Sequence, residues 1–251
     1  MSYFTYKGCQ IYYEVIGMGE PLVLLHGNTS SSKLFKGILP LYTEFQVILI
    51  DFLGYGQSDR TEKFPDDLWV DEAYQVCSLL EELKLSAVHL VGTSGGAWVA
   101  VNVALLIPDK IKSVTADSFD GRTLHVGFEK ELLAERAAAA NIKEAEQFYE
   151  WCIGADWKKV VEKDTDALVR LIHSNKTLFV KAISELKVPL ILTGSKEDQM
   201  TRRDLEKEYA AIAQEVGNTR IHLFNEGSHP SIGTNAVKTA EIIAAFIHEH
   251  E

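Results

Sequence analysis

The chain has 251 residues, 46% of them hydrophobic and 24% charged, with a formal net charge of -11 at pH 7. A chain of this length buries a large core, and open α/β folds reach this size as a single domain, here expected to span 1–251. The negative charge repels phosphate backbones and anionic lipid headgroups, so neither nucleic acid nor a membrane surface is an expected partner.

Tyr3 to Lys7 and Gln10 to Ile16 are β-rich segments split by Gly8 and read as an antiparallel hairpin. Pro21 to His26 is a continuous apolar strand, the pattern of a strand covered on both faces. A polar loop, His26-Gly27-Asn28-Thr29-Ser30, follows it, and a helix is expected over Ser32 to Leu41. Gln46 to Asp51 is the next buried strand, ending in the glycine-rich loop Phe52 to Asp59. Asp66 to Leu83 carries Leu68, Ala73, Val76, Leu79, Leu80 and Leu83 largely on one helical face. Val88 to Val91 is a strand that breaks into Gly92-Thr93-Ser94-Gly95-Gly96, and an Ala/Val/Leu-rich helix runs on to Ile107. Lys112 to Ala116 is another strand.

From Phe119 to about Lys187 only helical patterns occur: Glu129 to Ala140, Glu144 to Cys152, Trp157 to His173 and Lys176 to Glu185. A wholly helical stretch between two strands, 119–187, reads as a cap over the sheet edge. Its Phe148, Tyr149, Trp151, Trp157, Leu168, Leu171 and Ile172 pack it down or line a pocket beneath it. Trp98 reads as core, and the acidic run Glu129 to Glu135 as a solvated helix face. Val188 to Thr193 returns to strand, Arg203 to Val216 is a helix closed by Gly217, Arg220 to Phe224 is the last strand and Asn235 to His248 the last helix. The strand–loop–helix alternation implies a mainly parallel sheet with helices on both faces.

Gly92-x-Ser94-x-Gly96 fits the nucleophile elbow, in which glycines two residues either side of a serine allow a very tight strand-to-helix turn. The following helix aims its positive end at that hydroxyl. A serine hydroxyl needs a base, and the base an orienting acid. Asp198 and His229 each follow a later strand, so in a parallel sheet all three can meet at the carboxyl edge. Asp117 and Asp120, after the strand that follows the elbow, are alternative acids. The bland readings are a turn serine and a surface histidine.

Four motifs, each after an expected strand, carry a resemblance: His26-Gly27-Asn28, Asp51-x-x-Gly54-x-Gly56-x-Ser58, Gly92-x-Ser94-x-Gly96 and Gly227-x-His229. The chain resembles the α/β-hydrolase fold superfamily over essentially its whole length. The resemblance implies a three-layer α/β/α fold with a mostly parallel eight-stranded sheet and a helical cap. It implies Ser94 as nucleophile, His229 as general base and later acid, and Asp198 as the group holding the imidazole. The oxyanion hole would be the backbone N–H groups of Asn28 and Gly95. Asn28 departs from the apolar residue or glycine of many relatives; its amide can add a donor, bind substrate or tie down the loop. Asp51 is expected to stabilise its own glycine-rich loop, and His26 to sit as a structural residue under the oxyanion loop.

No phosphate-loop lysine and no Gly-x-Gly-x-x-Gly opens a helix, so no nucleotide cofactor is expected. His89, His125, His173, His222, His248 and His250 lack metal-ligand spacing, so no metal is expected. Cys9, Cys77 and Cys152 are too scattered for a disulfide framework and point to a reducing compartment. With no signal-peptide pattern and no apolar run of spanning length, a cytoplasmic protein is expected. The expected function is a cofactor-free serine hydrolase, a carboxylesterase acting on a small, mostly apolar ester. Carbon–carbon bond hydrolysis, lactone opening, cofactor-free perhydrolysis and ligand sensing with vestigial turnover remain open, because one fold hosts many chemistries.

Overall fold

The computed structural model describes residues 2–174 and 176–250. Its strands are β1 (Ser2–Tyr6), β2 (Cys9–Ile16), β3 (Pro21–Leu25), β4 (Gln46–Ile50), β5 (Val88–Thr93), β6 (Ile111–Asp117), β7 (Leu190–Ser195) and β8 (Thr219–Phe224). They form one eight-stranded sheet in the order β1-β2-β4-β3-β5-β6-β7-β8. Pairings of β2 with β1 and β4 are antiparallel, and the remaining pairs are parallel. The helices are α1 (Leu68–Glu82), α2 (Gly95–Leu106), α3 (Phe128–Ala139), α4 (Lys143–Cys152), α5 (Trp157–His173), α6 (Leu205–Glu215), α7 (Ser231–Thr234) and α8 (Ala236–His248).

The apolar strands are explained by their two faces. In β3, Val23 and Leu25 join one core with α1, α2 and α6, while Leu22 and Leu24 join a second core with α8. Successive side chains point to opposite faces, so a strand covered on both sides must be apolar at every position. β4 follows the same rule, with Ile48 and Ile50 on one side and Val47 and Leu49 on the other. The parallel strands all present their carboxyl ends at one edge, which gathers the loops after β3, β5, β7 and β8.

Two expected helices are absent. Ser32 to Leu41 forms only two short 3-10 turns, Ser32–Phe35 and Leu39–Leu41. Gly37 costs backbone entropy there, and Pro40 removes a donor. Lys176 to Glu185 contains only the turn Ile183–Glu185. The buried Asn102 side chain supplies the reason: its Nδ2 donates to Leu178 O (2.9 Å) and its Oδ1 accepts from Val180 N (2.8 Å). Those backbone groups therefore have partners outside a helix. Gly217 does follow α6, but the helix ends on an extended Val216 and Gly217 is not left-handed. Between β6 and β7 the chain forms α3, α4 and α5 and no strand among the described residues; Asn175 of this insertion lies outside them.

Candidate active site

Ser94 sits between β5 and α2 with φ 54 and ψ −125, a left-handed conformation that side chains adopt only under constraint. The turn is possible because β5 and α2 touch: a Cβ on Gly92 would run into Gly96 O, and one on Gly96 into Leu25 O. The ladder continues through the turn, Ser94 N donating to Asp117 O at 2.9 Å. Gly27 lies against the serine so closely that a Cβ there would stand 2.8 Å from Ser94 Cβ.

His229, in the loop after β8, meets Asp198, in the loop after β7, with Nδ1 and Oδ2 2.8 Å apart. The other carboxylate oxygen of Asp198 accepts from Met200 N at 2.9 Å, which fixes the carboxylate plane. Asp198 is fully buried and the His229 ring is 13% exposed. Ser94 and His229 line the same two cavities, but no hydrogen bond joins them among the described residues.

The two alternative acids have other partners, although Asp120 lines one of those cavities with Ser94 and His229. Asp117 is a tie-point beneath the edge, accepting from Thr93 Oγ1 (2.8 Å), Thr193 Oγ1 (2.7 Å), the Ser231 hydroxyl and Ile232 N. Burial pushes its carboxyl up, while the hydrogen bonds from Ser231, Thr193 and Thr93 hold it back. Asp120 accepts from Arg202 N (2.7 Å) and pairs with His125 Nδ1 at 2.6 Å. Asp51 accepts from Gln57 N of its own glycine-rich loop (2.8 Å) and from Ser32 N of a neighbouring one (2.7 Å), and His26 accepts from Phe52 N at 3.2 Å beneath the Gly27 turn.

One cavity, about 250 Å³, is walled by Trp69, Trp98, Phe119, Phe128, Leu132 and Leu168. Trp98 is thus both buried core and cavity wall, stacked on Trp69 with ring centroids 4.1 Å apart. The second, about 280 Å³, includes Leu34, Ala145, Phe148, Tyr149 and Pro230. Asn28, Ser94, Glu135, Arg136, Met200 and His229 border both.

Polar groups of the insertion enter the site in a way the sequence reading missed. Glu131 and Glu135 keep much of their solvent exposure, as a solvated face requires, but they also line the first cavity, and Glu131 meets His125 Nε2 at 3.1 Å. Arg136 donates to Tyr149 Oη (2.9 Å) and stands 3.5 Å from the wholly buried Asp164. Burial opposes the Arg136 charge, but Asp164, Tyr149 and Glu135 outweigh it and its pKa is raised. For Asp164 burial wins and the carboxyl is pushed up, against Arg136, Asn28 and Tyr55. Glu72 is pushed up much further, by burial and then by the charges of Asp164 and Asp71. The readable signal was periodicity: Asp164 interrupts the apolar stripe Val160, Ala167, Leu168, Leu171, and Arg136 stands between Leu132 and Ala139 on one face of α3.

The family model for the alpha/beta hydrolase fold matches residues 20–156, the segment holding the His26 loop and the elbow. The chain belongs to the alpha/beta hydrolase fold family. A putative carbamate hydrolase, RutD, of Pseudomonas syringae pv. syringae is 25% identical over 246 residues, 90% of this chain and 93% of that protein. A proline iminopeptidase of Clostridioides difficile is 34% identical over 127 residues, but the match spans only 47% of this chain and 42% of that enzyme. Among solved structures, a thermophilic esterase of Thermogutta terrifontis superimposes with a TM-score of 0.78 at 18% identity, over 99% of this chain and 97% of that one. At that identity the likeness concerns the fold. No helix among the described residues is long and apolar enough to cross a membrane.

Proposed function

We propose that this alpha/beta hydrolase is a serine carboxylesterase that cleaves small, mostly apolar esters through an acyl-enzyme. Ser94 is the nucleophile, His229 the general base and then acid, and Asp198 the group that orients the imidazole. The backbone N–H groups of Asn28 and Gly95 receive the oxyanion, and residues 119–187 act as a cap over the substrate. The observation that carries the reading is a serine held at φ 54 where two cavities meet, with His229, paired to the buried Asp198 behind it, bordering the same space.

In the reaction His229 Nε2 takes the Ser94 proton as Oγ adds to the ester carbonyl, and the tetrahedral oxyanion lies against the two N–H donors. His229 then gives that proton to the departing alcohol. Water, deprotonated by the same nitrogen, releases the acid and regenerates Ser94. Two cavities fit a substrate with a group on each side of the scissile bond, and aromatic and aliphatic walls favour apolar ones. The free thiols Cys9, Cys77 and Cys152 fit a reducing, cytoplasmic setting.

The test is a fluorophosphonate probe followed by peptide mass spectrometry, then p-nitrophenyl esters of rising chain length. An adduct on Ser94 and turnover of short esters are expected. Folded protein that neither labels at Ser94 nor hydrolyses any ester would refute the reading.

A further inference from the structure

Asp164 is a carboxylate without a place in the chemistry above, and it is buried in the middle of α5. Taking such a group out of water is costly unless its oxygens are paired. Its partners come from other parts of the chain. Asp164 Oδ2 accepts from Asn28 Nδ2 at 2.7 Å and from Tyr55 Oη at 2.6 Å, and Arg136 stands on the Oδ1 side. The Asn28 amide is committed at its other end too, where Oδ1 accepts from Trp69 Nε1 at 3.0 Å. This orientation is unambiguous, because indole nitrogen only donates and an ionised carboxylate only accepts.

The residues on either side of Asn28 show why this matters. Gly27 is pressed against Ser94, and Thr29, a β-branched residue, is held at φ 51. A backbone in that region keeps its shape only when its surroundings over-determine it. The direction of the Asn28 N–H is therefore set by what grips the Asn28 side chain: Trp69 from α1 and Asp164 from the insertion.

We infer that Asp164 is a positioning residue, through which the docked insertion aligns the Asn28 backbone N–H for the oxyanion. The inference rests on the serine-esterase reading given above. It makes the catalytic donor depend on a side chain that never touches substrate, so a displaced insertion loosens the oxyanion loop as well as opening the cavity.

Asp164→Ala, Asp164→Asn, Asn28→Ala and the Asn28→Ala/Asp164→Ala pair are compared with the unaltered chain and with Ser94→Ala on p-nitrophenyl butyrate. Asn28→Ala keeps its backbone N–H and loses only the grip, so it carries the test if Asp164→Ala does not fold. Misplacing an oxyanion donor is expected to lower kcat by about 10- to 100-fold in Asp164→Ala and in Asn28→Ala, with KM changed by less than about 3-fold. The Ki of an alkyl trifluoromethyl ketone, whose hemiketal with Ser94 carries the oxyanion, should rise by a similar factor. A loss of general packing would not track that Ki. The pair should be no worse than either single change, because both remove one contact. Asp164→Asn keeps an acceptor oxygen for Asn28 and Tyr55 and should recover part of the rate. Unchanged kcat in both single variants, an effect on KM alone, or losses that multiply in the pair would overturn the inference while leaving the esterase reading intact. An unaltered chain inactive on esters, or a Ser94→Ala variant as active as it, would sink both.

Discussion

The contact between Gly27 and Ser94 allows a sharp quantitative prediction. In Gly27→Ala the new Cβ would stand 2.8 Å from Ser94 Cβ and 3.3 Å from its Oγ. The first distance is about 0.6 Å short of ordinary contact, which begins near 3.4 Å. Gly27 is not in the left-handed region, so alanine adds no backbone strain of its own. The whole effect is the clash, which also involves Thr93 O at 3.1 Å, and it falls on parts that cannot move harmlessly. Either Ser94 withdraws from the carbonyl or the Gly27–Asn28 backbone retreats with its N–H. Displacement of a reacting group by about 1 Å costs roughly 100-fold in rate, so about 0.6 Å should lower kcat by about 10- to 100-fold. Overpacking costs about 1–3 kcal/mol, which for a chain of this size lowers Tm by about 2–12 °C. Steady-state kinetics on p-nitrophenyl esters, fluorophosphonate labelling rates and thermal melts monitored by circular dichroism measure the three quantities. A folded Gly27→Ala protein with unaltered kcat and labelling rate would refute the proposed roles of Ser94 and the Asn28 loop together.

Ser94→Ala should reduce ester turnover by at least about 10⁴-fold while the melt stays within about 2 °C, because the hydroxyl is not part of the core. Glu72 is held well above its ordinary value of 4.5, so the folded chain binds that proton more tightly than the unfolded one. Its contribution to stability is best in acid and is lost as pH rises above 4.5 toward the folded value. Glu72→Gln should therefore gain on the unaltered chain by a few degrees in Tm at pH 8, with the advantage shrinking toward pH 4; an equal difference at both pH values would contradict this. Asp117→Ala removes the shared acceptor of Thr93, Thr193 and Ser231 and should cost about 2–4 kcal/mol, read as a lowered urea midpoint.

Much of the fold was legible because its signals are local. β3 is apolar at every position and β4 at every position after Gln46, which a strand covered on both faces requires, and the Gly92–Gly96 spacing marks a turn no bulkier residues could make. Less was legible where a distant partner overrides local preference. Lys176 to Glu185 has helical composition, yet the amide of Asn102, some seventy-six residues away in the chain, takes up its backbone groups. Periodicity along one segment contains no record of such a partner.

The site divides in the same way. Ser94, Asp198 and His229 were each visible as chemistry-bearing residues placed after strands, because strand order alone brings those loops to one edge. Placement after a strand left three acids open, and only the resemblance pointed to Asp198. Asp117 ends a parallel strand and Asp120 and Asp198 follow one, and only the packed structure sets Asp198 2.8 Å from His229 while giving the other two different partners.

By itself, then, the sequence determined the strands, their connections and the position of the strained serine, all consequences of spacing, polarity and steric bulk within a few residues. The tertiary structure alone decided the fate of the Asn28 amide, the burial of Asp164 and the entry of Arg136, Glu131 and Glu135 into the cavity walls. Those depend on the direction and desolvation of groups from separate elements, Asn28 and Asp164 more than a hundred residues apart among them, which exist only once the chain has packed.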